Sequence, residues 1–183
     1  MKPDFEMHAE LIKQCIRGDS RAQYRLYKLY SKAMYNICTR MLNNRHEAED
    51  ILQDAFVSAF RNLKNFKANS TFGAWLKRIV INKCISHLRK NKLMLVEIES
   101  GNFETPDAYN WDEYSANNPE YIHQAIKELP EGSRVIFNLF ALEGFKHKEI
   151  SEMLNVSEST SKSQYLRARS ILMEKINVTV DGN

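Results

Sequence analysis

A chain of 183 residues, 43% of them hydrophobic, can build one medium domain or two small ones, each with a modest core. No window approaches the roughly 18 consecutive apolar residues of a membrane span, and the start, Met1-Lys2-Pro3-Asp4, lacks the apolar stretch of a signal peptide, so a cytoplasmic protein is expected. The net charge is only +3, but its distribution is uneven.

No acidic residue lies between Asp54 and Glu97, a stretch that carries Arg61, Lys64, Lys67, Lys77, Arg78, Lys83, Arg89, Lys90 and Lys92. The sign then reverses: Glu97, Glu99, Glu104, Asp107, Asp112, Glu113 and Glu120 run without a Lys or Arg until Lys127. A basic module, an acidic tether and a second module are expected in that order. The cysteines, Cys15, Cys38 and Cys84, show no CxxC spacing and read as reduced thiols in core positions. Cys84 and His87 stand at a ligand-like spacing but lack a second pair, so neither a metal nor another cofactor is expected.

Helical periodicity dominates and Gly is scarce, which predicts an all-α fold. Asp4 is a candidate cap for a first helix with Leu11, Ile12, Cys15 and Ile16 on one side and Gly18 as its stop. Asp19 opens a long second helix to about Leu42, whose tyrosines Tyr24, Tyr27, Tyr30 and Tyr35 read as helix-packing core. After Asn43-Asn44, the positions Ala48, Ile51, Leu52, Ala55, Phe56, Ala59, Phe60 and Leu63 step by three and four, an amphipathic helix. Its other face begins with Glu47, Glu49, Asp50, Gln53 and Asp54. Acids in the first turn favour the helix dipole, which is a sufficient structural reason for them; their persistence into the second turn points also to an acidic contact surface.

A loop from Lys64 to Ser70 leads to a fourth helix, capped by Ser70 or Thr71 and running to about Lys90. Leu76, Val80, Ile81, Cys84 and Leu88 cluster on one side of it, with Arg78, Asn82, Lys83, Ser86, Arg89 and Lys90 on the other. Trp75 and Ile79 project on the basic side, where another element must cover them or a ligand must meet them. The tether, residues 94–118, is acidic, contains Pro106 and is expected to be mobile. Asn118-Pro119-Glu120 restarts order as cap, first helical residue and dipole-friendly acid. Ile122, Ala125, Ile126 and Leu129 make the buried stripe of the helix that Pro130 ends, and a further helix from about Ser133 to Leu142 stops at Gly144.

Two segments follow, Lys146 to Leu154 and Glu158 to about Ile176, separated by Asn155-Val156-Ser157. Ile150, Met153 and Leu154 pack the first, Val156 plugs the turn and Ser157 caps the second, the layout of a helix-turn-helix. The second helix carries Thr160, Lys162, Ser163, Gln164, Arg167 and Arg169. Short hydroxyl and amide groups beside cations suit base-edge readout with phosphate anchoring.

These residues match a family. His46 to Phe56, with its acid, acid, aliphatic, aliphatic, Gln, acid, x, Phe order, resembles the second conserved region of sigma factors. Phe66 to Lys90, FKANSTFGAWLKRIVINKCISHLRK, resembles the adjoining promoter-melting and minus-ten segments; Glu128-Leu129-Pro130 and the helix-turn-helix ending Tyr165-Leu166-Arg167-Ala168-Arg169 resemble region four. The chain is thus similar to a sigma-70 family RNA polymerase sigma factor of the extracytoplasmic function (ECF) group. The resemblance implies two small all-α domains, residues 1–93 (region two, a helical bundle) and 119–178 (region four, a helix-turn-helix domain), joined by the flexible acidic linker 94–118.

It also implies partners and sites. Glu49, Asp50, Gln53 and Asp54 would dock on the basic clamp helices of the largest subunit of core RNA polymerase. Asn65, Lys67, Asn69 and Ser70, with Trp75, Asn82 and Ser86, would hold an extruded minus-ten base, while Lys77, Arg78, Lys83, Arg89 and Lys90 follow the promoter backbone. Thr160, Lys162, Ser163, Gln164, Arg167 and Arg169 would read the minus-thirty-five element, and an anti-sigma factor is an expected partner. The chain departs from the family pattern at Ser86, where Asp or Asn is usual, at Ser159, Ser161 and Gln164, where Gly, Val and Arg are commoner, and at Lys146, where a capping Ser or Thr is commoner. Two rival classes are a dimeric transcription factor using only the C-terminal helix-turn-helix, and a nucleic-acid-processing enzyme. Against the second, there are no paired carboxylates in a plausible pocket, no His-metal motif and no phosphate-binding glycine loop.

Overall fold

Capping side chains set several of the helix starts. The computed structural model describes residues 3–67, 69–90 and 119–180, and every regular element among them is helical. Helix α1 (Pro3–Ile16) starts at a proline, whose fixed φ suits the first helical position, so Asp4 lies inside the helix and not at its cap. Gly18 breaks the chain at φ +87°, a conformation open to glycine at little cost. The Asp19 carboxylate then accepts from the backbone N–H groups of Arg21 (2.8 Å) and Ala22 (3.2 Å) and opens α2 (Ser20–Leu42). Asn43, at φ 53°, ends α2, and the Asn44 side chain accepts from His46 N (3.0 Å) and Glu47 N (3.3 Å) to start α3 (Arg45–Arg61). A 3-10 turn (Leu63–Asn65) follows, and Thr71 Oγ1 accepts from Ala74 N (3.2 Å) at the head of α4 (Phe72–Lys90).

The chain divides into two units, residues 1–87 and 88–183. In the first, α2 packs on α1 and on α3, and α1 also meets the 3-10 turn. Leu26, Met34, Ile37, Cys38, Met41, Ile51, Leu52, Phe56, Leu76, Val80, Ile81 and Cys84 are buried. At about 1.5–3 kcal/mol for each large side chain removed from water, this stripe pattern is what holds short helices together. The neighbouring Cys38 thiol of α2 and, after it, burial push the Cys84 thiol of α4 far above the ordinary thiol range. At the top of α4, Tyr30 approaches within 3.0 Å of where a Cβ on Gly73 would stand, so glycine there permits close helix approach. Tyr27 meets Phe56 edge-on at 4.8 Å and Tyr30 meets Phe72 at 5.1 Å, but Tyr24, read as core from the sequence, is 60% exposed.

In the second unit, α5 (Pro119–Lys127) begins at the expected proline; its cap Asn118 lies outside the described residues, as does the tether. Pro130 caps α6 (Glu131–Phe137), which therefore starts two residues before Ser133 and runs into a π-helical turn (Asn138–Leu142). Gly144, at φ +77°, leads to α7 (His147–Leu154) and then α8 (Glu158–Val180), which extends past the expected Ile176. α5, α6 and α7 all pack on α8, with Ile122, Ile126, Leu129, Phe137, Ala168 and Leu172 in one core.

Polar contacts supplement this small core. Ser133 Oγ donates to Gln164 Oε1 between α6 and α8, Arg134 Nη1 donates to Leu129 O (3.0 Å), and His147 Nδ1 meets Ser161 Oγ at 2.9 Å between α7 and α8. The His147 ring stacks on Phe140 with 4.1 Å between centroids.

Replacing Asp19 with Ala should cost about 1 kcal/mol of stability, read by urea denaturation, because two N–H groups of α2 lose their acceptor. Burial, with the Lys162 ammonium nearby, holds the His147 imidazole below its ordinary value of 6.5, against the opposing pull of Glu158. The folded state therefore takes up this proton less readily than the unfolded chain. The resulting stability is present above about pH 6.5 and is lost as pH falls through that value toward the folded pKa. Thermal melts at pH 7.5 and 5.5 should show a drop on acidification that is smaller in His147→Gln.

Candidate nucleic-acid interface and acidic docking face

Helix α3 buries Ala48, Ile51, Leu52, Ala55, Phe56 and Ala59 on one side. Since each residue turns the helix by about 100°, the intervening Asp50, Gln53 and Asp54 are forced outward, and all three are exposed. Glu49 is half-buried and ion-paired to Arg45 (Nε to Oε1, 3.1 Å), a pair that raises the Arg45 guanidinium above its ordinary value. Glu47 belongs elsewhere: its Oε2 lies 3.3 Å from His87 Nε2, linking α3 to α4. The composition of the first turn alone could not separate this linking acid from the outward ones. Beside the ridge lies a hollow of about 410 Å³ walled by Ser31, Lys32 and Tyr35 of α2 together with Glu49 and Gln53. The residue pattern assigned no role to Ser31 and Lys32, because α2 carries polar side chains along its whole length.

The loop before α4 and one side of α4 form a second surface. Asn65, Lys67, Asn69, Ser70 and Thr71 are exposed. Arg78, Asn82, Ser86, Arg89 and Lys90 are exposed along one stripe of α4, at a spacing close to one turn per step, while Lys83 is half-buried. Trp75 is half-buried against Phe66 (5.3 Å between centroids) and Phe72 (5.6 Å), with Phe66 edge-on to Phe72 at 5.8 Å. An aromatic cluster thus covers much of the ring, and part of its area stays open beside the exposed loop.

In the helix-turn-helix, Asn155 takes the left-handed turn at φ 56°, a conformation that asparagine tolerates better than most residues. Ser157 Oγ accepts from Thr160 N at 3.0 Å, so the expected cap is in place. Lys146 lacks a capping hydroxyl, but its N–H donates to Glu149 Oε2 (2.9 Å), half of a capping box. Met153 and Val156 are half-buried rather than fully packed. On α8, Ser159 and Lys162 are exposed, and Thr160, Ser163, Arg167 and Arg169 are half-buried. Lys162 Nζ lies 2.7 Å from Glu158 Oε1, which holds the Glu158 carboxyl below its usual range.

Gln164 corrects the sequence reading. It was expected on the DNA side, yet it is only 5% exposed and faces Ser133 of α6. Ser161 is likewise fully buried against His147. Both polar residues sit on the core face of α8 because each finds a polar partner there, so these two departures from the family pattern bear on packing and not on guanine readout.

Among the described residues no helix is long and apolar enough to cross a membrane, and no group of three or more His, Cys, Asp or Glu is arranged to hold a metal. Two family models match the chain, Sigma-70 region 2 over residues 26–93 and Sigma-70, region 4 over residues 120–172. The ECF RNA polymerase sigma factor SigW of Bacillus subtilis is 33% identical over 176 residues, covering 90% of this chain and 94% of the relative. The RNA polymerase sigma-H factor of Pseudomonas aeruginosa is 32% identical over 179 residues, with 90% and 91% covered. A solved structure of the sigma factor RpoE from Bartonella quintana, in complex with the anti-sigma factor NepR, has a similar fold, with a TM-score of 0.53 and 23% identity over 85% of this chain and 96% of that one. The chain therefore belongs to the sigma-70 family, as an ECF RNA polymerase sigma factor, a transcription initiation factor that directs polymerase to promoters.

Proposed function

We propose that residues 1–93 and 119–178 form two promoter-reading modules joined by the acidic linker 94–118, and that the first of them also carries the polymerase contact. The observation that carries this reading is the opposition of charge on adjacent helices: α3 turns Asp50, Gln53 and Asp54 to solvent, while the exposed stripe of α4 is basic and free of acids. One protein module can then meet a basic protein surface and a polyanion at once.

In this reading Glu49, Asp50, Gln53 and Asp54 engage the basic clamp helices of the largest polymerase subunit. Arg78, Lys83, Arg89 and Lys90 follow phosphates of the minus-ten region, giving an affinity that falls steeply with salt. Asn65, Lys67, Asn69 and Ser70 of the loop, with Asn82 and Ser86 a turn apart on α4, form the walls that receive an unstacked base, and the open part of Trp75 offers it an aromatic face. Extruding a base costs a few kcal/mol, which such a pocket offsets by stacking and hydrogen bonds. Thr160, Lys162, Ser163, Arg167 and Arg169 engage the minus-thirty-five element, Gln164 serving only to seat the helix that carries them.

The chain contributes no catalytic group to this process; RNA synthesis belongs to the core enzyme, and the place of action is the cytoplasm, where that enzyme works. An anti-sigma factor is a further partner, in keeping with the complex in which the RpoE fold relative was solved.

The test separates the two faces. Asp50→Lys should abolish co-elution with core polymerase in gel filtration, because it reverses charge at an exposed ridge position without touching the core. Lys162→Glu should leave co-elution intact and reduce binding to duplex upstream promoter DNA about tenfold, with a shallower salt dependence. Parental behaviour of both variants would refute this assignment of roles.

A further inference from the structure

Helix α2 contains no Asp or Glu in 23 residues, yet it carries Arg21, Arg25, Lys28 and Lys32, all exposed. Their spacings of four, three and four bring them onto one line along the helix at about 100° per residue. Beside this line, between α1 and α2, runs a groove of about 590 Å³. Leu11 forms its floor, and Leu29 and Tyr24 stand in it 54% and 60% exposed. Neutral groups position the cations: Arg25 Nη2 donates to Gln14 Oε1 at 2.9 Å, and Lys28 Nζ sits 5.6 Å from the centroid of the Tyr24 ring. Of the acids near the groove, Glu10 lines it, and Asp19 is engaged in capping α2.

We propose that this groove is a docking site for an acidic amphipathic helix of a partner protein, with apolar residues seated on Leu11, Leu29 and Tyr24 and carboxylates along the Arg25 and Lys28 lip. A groove that mixes exposed apolar side chains with cations fits a helix that carries both apolar residues and carboxylates. A phosphate backbone would match the cations but leave Leu29 and Tyr24 without apolar contact, so the groove favours protein over nucleic acid. None of these residues belongs to the α3 ridge or the α4 stripe, and the surface is distinct from both.

The full-length chain, labelled with 15N, would be titrated with a synthetic 18-residue helical peptide bearing Leu on one face and Glu on its flanks, and with a counterpart bearing Lys in place of Glu. Saturable shifts at the α1 and α2 groove residues are expected with the acidic peptide only. Arg25→Glu/Lys28→Glu and, separately, Leu29→Asp should each weaken binding about tenfold or more while co-elution with core polymerase and the helical circular-dichroism signal stay unchanged. Equal binding of both peptides, no binding of the acidic one, or an unchanged affinity in the charge-reversed variant would overturn the proposal. So would a single-stranded oligonucleotide that shifts the same residues more tightly than the peptide. A dimer in sedimentation equilibrium that Leu29→Asp dissolves would likewise overturn it, by assigning the groove to a second copy of this chain.

Discussion

The helical period acting on α3 is the constraint from which the first unit's chemistry follows. Ala48, Ile51, Leu52, Ala55, Phe56 and Ala59 must face α2 if the unit is to have a core at all. Once they do, Asp50, Gln53 and Asp54 have nowhere to go but outward. Asn44 fixes where the helix starts, and the apolar stripe fixes which carboxylates fall on the free side. Turning α3 by one residue against α2 would swing the ridge by about 100° and desolvate its charges, a large penalty. Folding and the exposed acidic ridge therefore draw on the same pattern of residues.

The second unit solves a different problem. Its apolar core is small, and polar pairs supplement it: the buried Ser133 with Gln164, and the half-buried His147 with Ser161. A paired buried group adds modest net stability but makes wrong packings expensive, since each alternative leaves a donor or acceptor unsatisfied. The pairs tie α6 and α7 to α8 and thereby set the direction in which Lys162, Ser163 and Arg167 project. Two such modest modules gain from being tethered, because binding of one raises the effective concentration of the other at its promoter element. Neither has to bind tightly alone.

Much of this was legible in the residues. The all-α class, the caps Asp19 and Ser157, and the turn at Asn155 follow from local rules whose causes act within a few residues, and the structure has them in place. What escaped depended on partners distant in sequence. Gln164 reads as a DNA-facing amide until Ser133, 31 residues away, is seen opposite it. Glu47 reads as one more dipole-friendly acid until His87 is found beside it. Tyr24 shares the composition of its neighbours Tyr27 and Tyr30, and only the placement of the helices around α2 leaves it exposed while they pack on Phe56 and Phe72. Asp4 was misjudged for a local reason, since Pro3 itself begins the helix.

The most direct measurement is run-off transcription from fragmented genomic DNA of the source bacterium with purified core polymerase, in the presence and absence of the purified chain. Discrete transcripts that appear only when the chain is added, and that share two upstream sequence elements at fixed separation, are predicted. A transcript pattern identical with and without the chain would contradict the claim that this small pair of helical modules gives polymerase its promoters.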